Sequence, residues 1–348
     1  MRRKTIKFDY KKNIIITYLL SLLAIIISLV YIFPSFLSPD FHNYLELIDV
    51  PNYYKSDFFY YYLAKVIKRY YSIVDSYKII NIIYVFLMSV LFFIFCYKIN
   101  NIYKRTISFL FFSSLIYTLY VFPHFGLIQI RSGLAISIFY LSILFLLKNQ
   151  ITKYILLNFS SIFLFHKSAI IFILFLPIIY KKINFRFYNI IIPIIGLYLY
   201  FLNKFLLGFF ILLATKLPNF FAVKLNFYLN NLNTNSSLNE INTFNIGILI
   251  IYIVSLILNS VLTKNKINDI MLRVYSLSIF SWFAFSIIPA IAQRFFFYFY
   301  ISEIILLPAI LVSSKLSKPL KIILFIFLFL YVIKQSIGRY ILNSEFII

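Results

Sequence analysis

Apolar runs close to the ~20 residues that a helix needs to cross ~30 Å of hydrocarbon recur along the whole chain. Runs such as Ile14–Val30 are apolar on every face, which excludes the alternation of a transmembrane β-strand. Of the 348 residues, 63% are hydrophobic and only 12% charged, too few to wet the surface of a soluble protein of this size. The sequence therefore reads as an all-α polytopic integral membrane protein. It forms a single membrane domain over 1–348 with roughly ten or eleven transmembrane or half-membrane helices.

The segments fall near 13–33, 77–97, 106–122, 132–147, 154–165, 169–180, 188–208, 244–262, 270–288, 295–312 and 320–333. The stretch 154–180 is instructive. As one helix it would be ~40 Å long, and as two helices meeting at His166-Lys167 each would be only ~18 Å. Charge decides between them. With a cytoplasmic N-terminus and a broken hairpin at 154–180, five cationic clusters face inside: Lys98/Lys104/Arg105, Lys148/Lys153, Lys181/Lys182/Arg186, Lys264/Lys266/Arg273 and Lys315/Lys318/Lys321. A single crossing would send the last three outside, against the positive-inside rule. Broken backbone at membrane depth is tolerated only against protein or a wet cavity, so a cavity is expected at the break. The outer loops fall at about 34–76 and 209–243. The first holds an amphipathic stretch, 58–75, suited to an interfacial helix.

The net charge of +23 is scattered in twos and threes between apolar runs, so it does not form the basic face that nucleic acid needs. The lone Cys96 lies inside an apolar run, and no disulfide framework or cysteine metal site follows. The basic start leads into an apolar run without a small-residue cleavage site, which reads as an uncleaved anchor. No phosphate loop, paired-histidine metal motif or nucleophile elbow is present, and no cofactor is expected.

What remains are ionisable residues near the outer helix ends, and charge at that depth is costly enough to mark function. Arg131 precedes an apolar helix, with Gln129 beside it. A planar guanidinium there suits a phosphate or diphosphate, or it snorkels to the interface. His166, beside Lys167 at the break, suits a proton acceptor or a donor to phosphate or sugar; the plain alternative is a packing histidine. Arg294 again stands where an outer loop enters a helix, and Glu303 lies about 13.5 Å deeper if the helix continues. Glu303 is either catalytic or half of an interhelix salt bridge. Tyr298 either contacts substrate or belongs to the aromatic belt. Asp40, His42, Tyr44, Glu46, Asp49 and Asp57 crowd the first outer loop; most read as solvated charges, with Asp40 the candidate base.

Four features in order resemble the EpsG family of membrane proteins, relatives of Wzy-type polysaccharide polymerases. They are Asp40-x-x-x-Tyr44 with the acidic-aromatic cluster Asp57 to Tyr62; Arg131 leading into LAISIFYL; Phe165-His166-Lys167-Ser168-Ala169; and Arg294 to Tyr298 leading to Glu303. The family commonly has Arg-Gln where this chain has Arg131-Ser132. The resemblance implies an enzyme of the bacterial cytoplasmic (inner) membrane that polymerises repeat units of exopolysaccharide, capsule or O-antigen. Its substrate would be an undecaprenyl-diphosphate-linked oligosaccharide at the outer leaflet, with membrane lipid around it and a chain-length regulator and a flippase as partners. On that reading Arg131 and Arg294 bind diphosphate with Gln129, Lys167, Tyr44 and Tyr298 around them, while His166, Asp40 and Glu303 are the catalytic candidates. The rival readings are a polyprenyl-phosphate-sugar-dependent glycosyltransferase, a flippase or transporter of lipid-linked saccharides, and a membrane O-acyltransferase.

Overall fold

The computed structural model describes residues 15–16, 18–27, 41–51, 57–102, 107–122, 124–125, 129–180, 185–216, 243–262, 265–286, 288–313, 315–327 and 330. Among them all regular structure is helical. The chain divides into two compact units, one formed by Met1–Leu176 with Leu316–Ile348 and the other by Pro177–Lys315.

The first unit runs through α1 (Tyr18–Ile27), α2 (Phe41–Asp49), α3 (Phe58–Ile67), α4 (Ile73–Ile102), α5 (Ile107–Ile116), α6 (Ile130–Leu147), α7 (Ile151–Leu164) and α8 (Ile170–Leu174). The expected interfacial stretch 58–75 is not one helix. It ends at Ile67 in a turn, and α4 starts afresh because Ser72 caps it. The Asp75 amide donates to Ser72 Oγ at 3.2 Å, occupying a donor that a helix start leaves open, and that hydroxyl donates to Asp75 Oδ2 at 2.6 Å. Within α3, Tyr60 and Ala64 face inward while Phe58, Tyr62, Lys65 and Val66 are exposed, an apolar-and-cationic outer face of the interfacial kind. Lys68 pairs with Asp49 at 2.8 Å and ties the end of α3 to the end of α2. Exposed as it is, the pair adds little stability.

The α6–α7 hairpin is closed by a Schellman turn. Asn149 takes the left-handed conformation at φ 57°, which asparagine tolerates better than most residues. The Gln150 amide reaches Phe145 O at 2.8 Å and the Asn149 amide reaches Leu146 O at 3.1 Å, the two bonds that define the motif. Asn158 then joins the two helices from inside: its Nδ2 donates to Ser142 Oγ at 2.8 Å and to Tyr154 O at 2.9 Å.

The break expected at His166-Lys167 is present. α7 ends at Leu164, a 3-10 turn covers Lys167–Ala169, and α8 follows. The returning chain packs against α6, with the Phe139 and Phe172 rings stacked 4.0 Å apart and the Tyr154 hydroxyl donating to Phe172 O at 2.7 Å. By length and composition, α4 and α6 are each able to cross a membrane alone, and the shorter apolar helices other than α3 fall on other expected segments.

The second unit holds α9 (Leu176–Tyr180, from Pro177), α10 (Phe185–Phe201), α11 (Asn203–Lys216), α12 (Thr243–Leu262), α13 (Lys266–Ala284), α14 (Pro289–Tyr300) and α15 (Glu303–Leu311). α13 is its axis. Asn265 caps its start by accepting from the Asn268 amide at 3.0 Å. α10 crosses α13 at Gly196, where an added Cβ would stand 2.8 Å from Phe280 Cα, so the backbones meet only because Gly196 has no side chain. Arg273, grouped with the cytoplasmic loop cations in the charge argument, is instead 1% exposed within α13. Its Nη1 donates to the Ile178 and Ile179 carbonyls at 3.3 Å each, satisfying the end of α9.

The segment expected as one span at 295–312 is two helices bent by 41°. The Ser302 hydroxyl back-bonds to Phe299 O at 2.9 Å, a competitor for the helical ladder that favours bending.

Candidate active site

The hairpin fixes where the first unit gathers its polar groups. Arg131 lies 18 residues before Asn149 and His166 lies 17 after it. At 1.5 Å per residue, both stand roughly 25–27 Å from the turn, at the open end of the same hairpin.

Arg131 is the second residue of α6. Its Nη1 donates to Asp57 Oδ2 at 3.0 Å, and it shares a further side-chain hydrogen bond with Tyr44. Its guanidinium carbon lies 5.4 Å from the Tyr44 ring centroid and 5.6 Å from that of Tyr60, within cation–π range of both. A cation in the first turn sits at the positive end of the helix dipole. Guanidinium and helix end together call for an anion.

Asp57 is that anion. It is 5% exposed and also accepts from the backbone N–H of Lys167, whose ammonium adds attraction. One carboxylate thus bridges the head of α6 and the break after α7. Burial pushes the Asp57 carboxyl above its ordinary 3.8, and Arg131 and Lys167 pull it part of the way back. The head of α3 is held there by Phe59, whose ring lies 5.3 Å from Phe165 and 5.4 Å from Tyr84.

His166 caps the 3-10 turn. Its Nδ1 accepts from the Ser168 amide at 3.2 Å and is bonded to the Ser168 hydroxyl. With that lone pair engaged, the neutral ring carries its proton on Nε2 and presents a donor there. The Gln129 side chain is turned onto its own helix, where Oε1 accepts from Ser132 Oγ at 3.3 Å.

Of the expected site residues, the first unit therefore brings together Arg131, Tyr44, Lys167 and the break that carries His166. Asp40 lies outside the described residues. Sequence reading counted Asp57 among the loop acids and missed its pairing. Its partner is 74 residues away, and the only local signal was the acidic-aromatic start of α3.

Arg294, Tyr298 and Glu303 belong to the second unit. Arg294 lies in the second turn of α14 and is half-buried, and Tyr298 is fully buried. Glu303 does not continue a straight helix from Arg294. It opens α15 beyond the bend, 2% exposed, and Oε1 accepts a hydrogen bond from the Tyr275 hydroxyl. The Tyr275 ring in turn meets Tyr252 and Tyr300 edge-on. The first turn of a helix suits a carboxylate. Among the described residues no three His, Cys, Asp or Glu side chains gather as a metal site.

No curated protein and no solved structure matches the chain. The family model for the EpsG family matches residues 7–347. This helical membrane protein of polysaccharide-polymerase type therefore belongs to the EpsG family.

Proposed function

We propose that the chain joins undecaprenyl-diphosphate-linked oligosaccharide repeats at the outer leaflet of the cytoplasmic membrane, with its N-terminus cytoplasmic. The reaction is glycosyl transfer. The bond from the donor sugar's anomeric carbon to the diphosphate oxygen breaks, and a bond to an acceptor hydroxyl forms. The hydroxyl proton passes to a base, and polyprenyl diphosphate leaves with the electron pair.

The observation that carries this reading is the convergence of the Arg131 guanidinium and the Lys167 backbone amide on one carboxylate oxygen pair. Donors aimed at a single anion at the head of a helix are what a diphosphate leaving group requires. In this mechanism Arg131 and Lys167 hold the diphosphate and offset the charge that develops on it. Tyr44 holds the guanidinium plane. His166, with Nδ1 engaged by Ser168, orients phosphate or sugar through its Nε2 hydrogen, which leaves proton abstraction to a carboxylate such as Asp40. In the second unit, taken by itself, Arg294 is proposed as a phosphate-binding cation, Tyr298 as a substrate contact and Glu303 as a candidate carboxylate. A flippase delivers the substrate, and a chain-length regulator is the proposed partner.

Arg131→Lys keeps the charge but loses the planar fork. In cells that depend on this chain, Arg131→Lys and Arg294→Lys should each shorten or abolish the ladder of repeats while the protein accumulates normally. Full-length polymer from both variants refutes the assignment. A product with one added sugar instead of a ladder would move the activity to the single-transfer class.

A further inference from the structure

Asp57 has a second place to go. It is the N-cap of α3, with φ −81° and ψ 155°, yet its side chain makes no hydrogen bond to the helix it begins. An aspartate in this position ordinarily accepts from the amides two or three residues on, here Phe59 and Tyr60. Those amides open a helix and have no acceptor within it. One carboxylate therefore has two sets of donors, the helix start and the Arg131–Lys167 pair, and rotation of its own side chain moves it between them. The two sets differ in access: the Arg131 side chain is 20% exposed and that of Asp57 only 6%. An anion arriving from outside meets Arg131 before it meets the carboxylate.

We propose that Asp57 is a resident anion in the donor's seat: it occupies the Arg131–Lys167 donors until a diphosphate displaces it onto the first-turn amides of α3. This rests on the reading of Arg131 as a diphosphate cation. The exchange leaves no buried charge stranded, because the guanidinium keeps an anion and the carboxylate gains the positive end of a helix. It also makes the seat selective. A ligand must outbid a buried carboxylate, which a doubly charged diphosphate does and a weak monoanion does not.

The test uses the full chain in phosphatidylcholine nanodiscs with inorganic pyrophosphate as the probe. Asp57→Asn and Asp57→Ser still cap a helix but carry no charge to hold the seat. Both should bind pyrophosphate more tightly than the natural protein, about tenfold if the carboxylate holds the seat about nine-tenths of the time. If Asp57 instead serves only to hold Arg131 in place, both variants bind more weakly, which overturns the proposal.

A second measurement needs no variant. Pyrophosphate should slow hydrogen exchange at the Phe59 and Tyr60 amides of the natural protein; binding without that protection also overturns it. In phosphatidylglycerol nanodiscs, protection present before pyrophosphate is added would support the exchange, with lipid phosphate as the displacing anion. Binding that needs Arg131 but shows neither effect sinks the exchange alone. No binding to the natural protein or to either variant sinks the diphosphate reading with it.

Discussion

Arg131→Met isolates the worth of the buried pair. Methionine keeps an unbranched stem against the Tyr44 and Tyr60 rings, so the change removes charge and hydrogen bonds more than volume. It deletes a 3.0 Å ion pair and leaves Asp57, 5% exposed, with the Lys167 amide and ammonium as its remaining charge partners among the described residues. Stranding one member of a buried pair costs about 3–5 kcal/mol. The surviving Lys167 contacts put this case at the lower end, about 3 kcal/mol. Asp57→Asn strands nothing so deeply, because Arg131 keeps Tyr44 and partial access to water, and it should cost about 1 kcal/mol. The double variant should then cost about 1–2 kcal/mol, less than Arg131→Met alone, for a coupling of about 2–3 kcal/mol.

The assay is an equilibrium unfolding titration with dodecyl sulfate in mixed micelles, run on the four proteins of the cycle. Acidity supplies an internal control. The folded Asp57 carboxyl lies above 3.8, so the folded form binds the proton more strongly than the unfolded chain does. Relative to Asp57→Asn, the natural protein is then most stable below 3.8 and loses that advantage as pH rises through the folded value. The Arg131→Met loss should likewise shrink in acid, where Asp57 is neutral. Additive losses across the cycle, or an Arg131→Met cost unchanged between neutral and acid pH, would refute the buried-anion account.

Two further outcomes follow from packing. Gly196→Ala places a methyl 2.8 Å from Phe280 Cα and should cost about 1–3 kcal/mol by forcing α10 from α13. Gly208→Ala, with nothing within 4 Å, should cost nothing in the same unfolding titration; equal losses at both sites would disprove the close crossing. Tyr275→Phe removes the hydroxyl donated to buried Glu303 and should cost about 1–3 kcal/mol. Adding Glu303→Gln should recover part of that loss, and no recovery would show that the hydroxyl and the carboxyl are not energetically coupled.

The elements that proved legible are those set by local pattern. The all-helical class came from run length, and the break at His166-Lys167 came from a stretch too long for one span and too short for two, with the cationic clusters deciding for the hairpin. The Ser72 cap and the Asn149 turn are just as local; they end α3 before 72 and place Arg131 and His166 level. Asp57 is different in kind. Nothing within several turns of it distinguishes a solvated loop acid from a carboxylate buried against an arginine 74 residues away. Glu303 fails for a related reason. Hydropathy sees one apolar run at 295–312, and it does not see a serine hydroxyl bending the helix so that the glutamate opens a new one.

The electrostatics of α6 argue that the Arg131 cluster is more than a fastening. A helix start in a low-dielectric setting favours an acid in its first turn and disfavours a cation by about 0.3–1 kcal/mol, yet α6 carries Arg131 there and no acid. A chain needing only to hold α3 against α6 would do as well with apolar residues, since a buried ion pair seldom outperforms them. Here the first unit concentrates positive potential at one helix end, adds the Lys167 amide and ammonium, and covers the result with a carboxylate whose own helix start goes uncapped by it. Each of these choices is unfavourable for stability taken alone. Together they make a positively charged helix end held by one carboxylate with a second place to go, which is the arrangement that the proposed exchange with a diphosphate requires.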